Sequence, residues 1–143
     1  MNGFNWKIEA NQAFVYYLTK GTVIEIEGEY KNDYSYFYSL FILKEKQPIS
    51  KMIVSIDLER DNRLEKIIRH DSFNIFLGKF DLRKESELPL KKVERSWLVL
   101  SLTGIFEVHN RLIESRDLLE IKSDEYIEFE SLSENSLMIV IDY

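Results

Sequence analysis

The chain has 143 residues, is 45% hydrophobic and 13% aromatic, and contains no cysteine. That describes a folded domain able to bury its own core, and it excludes a disordered chain, a disulfide framework and a thiolate metal site. Residues 1–71 carry ten Lys/Arg against eleven Asp/Glu and residues 72–143 nine against fourteen, so the net charge of -6 divides as -1 and -5; an acidic surface without a basic stripe predicts no nucleic-acid partner.

The first twenty residues lack the basic start and uninterrupted apolar run of a signal peptide. No window approaches the roughly 18 apolar residues of a membrane span, so the expected location is cytoplasmic, with no membrane partner. Phe4, Trp6 and Ile8 alternate as an edge strand would, and AFVYYLT (13–19) reads as a strand ended by Lys20-Gly21. In TVIEIEGEY (22–30), Thr22, Ile24 and Ile26 fall on one side and Val23, Glu25, Glu27 and Glu29 on the other, the pattern of a strand with one buried face. Asn32-Asp33 predicts a turn. YSYFYSLFIL (34–43) is bulky on both faces, as in a strand covered on both sides. Polar residues around Pro48 predict a loop, and KMIVSIDL (51–58) another extended piece. DNRLEKIIRHD allows a short helix, but Ile67 and Ile68 between strands favour turn plus strand.

From Phe73 onward short strands recur: FNIFLGKFDL, SELPLKKV, RSWLVLSLTG, IFEVHNRLIE, SRDLLEI, DEYIEFESL and SLMIVIDY. Their spacing predicts a β-sandwich or barrel. Gly78 inside its strand marks a bulge or close backbone approach, Pro89 the start of an edge segment, Gly104 a strand end and His109-Asn110 a turn.

No chemistry stands out. Ser39, Ser96 and Ser101 lack a nucleophile context, and the five glycines form no phosphate loop. His70 and His109 read as surface turn residues. Glu25, Glu27 and Glu29 could clamp a hard cation, although a solvated strand face is the plainer reading. Tyr30, Tyr34, Tyr36 and Tyr38, with Phe37 and Phe41, form an unusual aromatic concentration, either a covered strand or an interface.

Four segments, FLGKFDLRKESELPL, RSWLVLSLTGIFEV, LIESRDLLEIKSDEYIEFES and MIVIDY, together resemble the C-terminal cupin half of the pirin-like bicupins, which are related to quercetinases. YYLTKGTVIEIEGEY and YFYSLFIL resemble the end of that family's N-terminal barrel. The resemblance implies an all-β fold, a jelly-roll-type cupin-like barrel over 72–143, with an additional N-terminal set of strands over 1–71 from a truncated first cupin. It also implies an iron held by three histidines and a glutamate. Here Arg116 stands at the corner glycine before Asp117, Ser123-Asp124-Glu125 supply a turn, no histidine precedes His70, and Trp97 falls where a cupin glutamate would. Leu90, Lys91, Lys92 and Val93 occupy the histidine region. The expectation is a cupin without metal or cofactor, not catalytic, that binds a protein partner or a small apolar molecule and forms a homodimer through its N-terminal strands. Tyr30, Tyr34, Tyr36, Tyr38, Phe41 and Trp97 are its candidate binding or interface residues. The alternative is a quercetinase-like dioxygenase using a carboxylate metal site.

Overall fold

The computed structural model describes residues 7–16, 18, 21–28, 37–40, 52–59, 62–89, 96–122 and 126–143. All regular structure among them is β. The eleven strands are β1 Gln12–Val15, β2 Met52–Ser55, β3 Glu65–Arg69, β4 Asn74–Phe80, β5 Glu85–Pro89, β6 Ser96–Thr103, β7 Phe106–Val108, β8 Arg111–Ile113, β9 Leu118–Lys122, β10 Tyr126–Ser131 and β11 Ser136–Asp142. They form a five-stranded sheet in the order β3-β4-β11-β6-β9, a four-stranded sheet in the order β5-β10-β7-β8, and the pair β1-β2. Every pairing is antiparallel.

The two larger sheets face each other as a jelly-roll-type barrel. Alternate residues of each strand project inward, and between the sheets Phe76, Phe80, Trp97, Val99, Met138 and Val140 meet Phe106, Val108, Ile113, Ile127 and Phe129. A second cluster, Ile68, Phe73, Ile75 and Ile141, lies on the five-stranded sheet, where Val15 of β1 packs against it. The N-terminal strand pair thus covers the sheet's far face. Residues 65–69 run as the sheet's edge strand, so turn plus strand was the right choice over helix there.

One end of the barrel is closed by serines. Ser101 Oγ donates to the Gly104 carbonyl (3.0 Å), Ser131 Oγ to the Ser133 carbonyl (2.8 Å), and Ser136 Oγ to the same Ser133 carbonyl (2.7 Å). Ser101, the buried member of the nucleophile candidates, therefore has a structural role. Gly104 ends β6 with φ +83, as its position predicted. Gly78 is a close approach: a Cβ there would stand 2.5 Å from the Arg63 carbonyl oxygen and 2.7 Å from the Phe80 ring. Pro89 does lie on an edge strand, but it ends β5 rather than beginning it.

The described residues of two expected strands, 22–30 and 34–43, lie in no strand. Residues 22–28 lie outside any strand and are exposed throughout, so Thr22, Ile24 and Ile26 make no buried face. Residues 37–40, the described part of the aromatic run, are likewise exposed and outside any strand. Alternation shows what a strand could bury, but a strand exists only where a neighbour supplies a ladder, and among the described residues neither segment has one. The turn expected at Asn32-Asp33, the loop around Pro48, the turn at Ser123–Glu125 and the strand of Phe4 and Trp6 fall outside the described residues; Ile8, the last of that alternation, is exposed.

His109 and Asn110 make a two-residue hairpin between β7 and β8 with φ +47 and +58, the twist that antiparallel strands prefer. Arg116 turns the β8–β9 corner at φ +76, where its amide donates to the Ser101 carbonyl (2.6 Å). A left-handed backbone costs a residue with a Cβ about 1–2 kcal/mol. Arg116→Gly relieves this but returns about 0.5–1 kcal/mol through unfolded-chain freedom, so the variant should melt about 1–4 °C higher by calorimetry. Gly78→Ala, in contrast, should lose about 1–3 kcal/mol in urea unfolding, because neither the Arg63 backbone nor the buried Phe80 ring can yield freely.

Candidate functional site

The barrel end opposite the serines gathers the start of β4, the start of β6, the ends of β5, β9 and β11, and the β7–β8 turn. Here Asn74 and Asp142 pair across the β4–β11 ladder: Asn74 Nδ2 donates to both carboxylate oxygens at 2.8 Å. Trp97, only 3% exposed, lies across from Asp142 on one side and Ile121 on the other, its ring 6.2 Å from that of Phe76. Its indole Nε1–H is buried without a hydrogen-bond partner among the described residues. Such an orphan donor costs about 1–3 kcal/mol.

At this end a recess of about 200 Å³ opens between β8 and β9, the edge strands of the two sheets, lined by His109, Arg111, Leu119, Glu120, Ile121 and Lys122. Leu119 and Ile121 are inward-facing residues of β9 that show a little carbon at its floor, while the rest of the exposed lining is polar and charged. Lys122 Nζ stands 3.3 Å from Glu120, and the Tyr143 hydroxyl donates to Glu120 at 2.7 Å. His109 Nε2 lies 3.1 Å from the Tyr126 carbonyl, and its Nδ1 is 4.0 Å from Glu128. The Arg111 guanidinium makes no hydrogen bond or ion pair among the described residues.

The Tyr143 hydroxyl, and after it Lys122, hold the Glu120 carboxyl below its ordinary range; the same Glu120 bond raises the Tyr143 phenol. The depressed carboxyl makes its contribution above the unfolded-state pKa and loses it as pH falls through the folded one. The raised phenol makes its contribution below its unfolded-state pKa and loses it as pH rises through the folded one. Tyr143→Phe should therefore move the Glu120 titration upward, toward the ordinary 4.5, in carboxyl-carbon NMR.

The candidate residues named from sequence are scattered. Tyr30, Tyr34, Tyr36, Phe41 and Glu29 fall outside the described residues, as do Leu90–Val93. Tyr38 is 54% exposed and anchors its segment by donating to the Leu102 carbonyl at 3.0 Å. Glu25 and Glu27 are exposed. His70 accepts from the Ser72 amide (3.2 Å) and stacks on Phe73 in the β3–β4 turn, in a different sheet from His109. Among the described residues no three His, Cys, Asp or Glu side chains come together to hold a metal. The iron that the pirin-like resemblance implies does not fit: among the described residues the buried groups at this end bring one carboxylate, Asp142, already bonded to Asn74, and no imidazole, whereas such an iron needs several imidazole or carboxylate donors together. Sequence reasoning missed Arg111, Glu120, Lys122 and Tyr143. Arg111, Glu120 and Lys122 sit on ordinary solvated strand positions and Tyr143 just past the end of β11, and only the order of the strands in the sheets brings them together.

Three solved structures place this architecture. YhhW from Escherichia coli matches 71% of this chain and 47% of its own at 14% identity, with a TM-score of 0.58, so the chain spans about half of YhhW's length. An RmlC-like cupin protein from Desulfovibrio desulfuricans matches 70% of this chain and 95% of its own at 12% identity and a TM-score of 0.50. The Cupin_2 domain of an XRE family transcriptional regulator from Enterobacter cloacae matches 57% and 94%, at 13% identity and a TM-score of 0.50. The fold is a cupin-like barrel. No protein-family profile and no curated protein matches the chain. No helix among the described residues is long and apolar enough to cross a membrane.

Proposed function

We propose that this chain is a pirin-related cupin of the cytoplasm that acts by binding rather than by catalysis, and that its first partner is a second copy of itself. One observation carries the reading: apolar side chains that a cupin enzyme would exchange for ligands fill the barrel, while others stand outside it. The interior at the Trp97 end is occupied by Trp97, Phe76, Ile121 and Ile127. Meanwhile Val23 is 81% exposed, Ile24 53%, Ile26 61%, Phe37 62% and Leu40 47%, all on the N-terminal side. Isolated exposed apolar residues are ordinary, but a β-branched run outside any sheet is a template for pairing with another strand. A symmetric pair of such runs buries both at once. A protein partner or a small apolar molecule could use the same surface.

The alternative reading, a dioxygenase on a carboxylate-held metal, draws on Glu25, Glu27 and Glu29. Glu25 and Glu27 sit in an exposed segment that brings no third donor among the described residues.

Sedimentation velocity on the full chain should give a dimeric mass. Val23→Asp combined with Ile26→Asp, at exposed positions where folding is untouched, should raise the dimer Kd by about tenfold or more. A monomeric parent protein, or a variant that stays fully dimeric, sinks the proposal. One equivalent of tightly bound iron or nickel in elemental analysis would turn the reading toward the enzyme.

A further inference from the structure

The recess between β8 and β9 holds more donors than the fold consumes. Lys122 and Arg111 bring two positive charges to it and Glu120 one negative, in the half of the chain that carries a net -5. Glu120 is already engaged by Tyr143 and Lys122. Glu128 faces His109 on the outer side of the turn, 4.0 Å from Nδ1. Arg111 has no counter-charge among the described residues, and its planar fork matches a carboxylate's two oxygens. Beneath the charges lie Leu119 and Ile121, and behind Ile121, directly across the ladder, lies Trp97 with its unused N–H.

We propose that this recess is a binding site for a small monocarboxylate with a short apolar tail. The carboxylate sits between Arg111 and Lys122, and the tail lies on Leu119 and Ile121. The volume of about 200 Å³ is below that of drug-sized pockets and suits a ligand of a few carbons. The site lies at the seam between two sheet edges rather than inside the filled barrel, so it needs no metal. It is also independent of self-association, which uses the N-terminal side.

The test uses Trp6→Phe protein, so that Trp97 alone reports, titrated with butyrate and followed by fluorescence and by amide NMR. Butyrate should shift the signals of β8 and β9 saturably, and butyramide, which has the same shape without the charge, should not. Arg111→Gln should weaken butyrate binding about tenfold or more, and Lys122→Gln by a smaller factor, with unchanged melting temperatures. Equal binding of butyramide, an unaffected Arg111→Gln variant or no saturable shift would overturn the proposal. Inorganic phosphate binding as well as butyrate would overturn the assignment to a carboxylate with an apolar tail. Sedimentation of the same samples separates this outcome from failure of the dimer.

Discussion

Three phenylalanine rings meet edge to face at the centre of the barrel, and the placement of both sheets depends on them. Phe80 comes from the five-stranded sheet, and Phe106 and Phe129 from the four-stranded one; their centroids lie 5.0, 6.0 and 6.2 Å apart at interplanar angles of 73–87°. Edge-to-face contact is the geometry the ring quadrupole prefers, and all three side chains are buried. These rings pack the centre of the barrel as core, and the recess and the self-association surface proposed above both lie away from them.

The same packing bears on the metal centre that the resemblance implies. Metal chemistry needs inward positions given to imidazole and carboxylate; here Trp97, Ile121 and Ile127 are core residues at that end and stabilise the barrel by burial. Asp142, the buried carboxylate at that end, is engaged by Asn74, which joins two neighbouring strands.

The strands from Phe73 onward were legible because each is short, apolar at alternate positions and bounded by turn residues such as Gly104 and His109-Asn110. Arg116, which stands where the resembled pattern has a corner glycine, adopts a left-handed conformation that the sequence reading had not specified. The N-terminal segments misled for a physical reason. Glu25 and Glu27 alternate with Ile24 and Ile26 as in a strand, yet period-two patterning has no force without a neighbouring ladder. Arg111 and Lys122 were invisible for the opposite reason. Each is unremarkable in its own strand, and their neighbourhood is created by topology alone.

The strand order also bears on how the barrel is made. β11 lies between β4 and β6 and pairs with both, although both precede it in the chain. During synthesis β4 and β6 emerge from the ribosome with one long apolar edge each and no partner to close it. The central joint of the five-stranded sheet can form only when Ser136–Asp142 inserts between them. Such distant pairing is slow, and the waiting edges are open to association with other chains. Nascent protein stalled before β11 should be the species that most needs a chaperone.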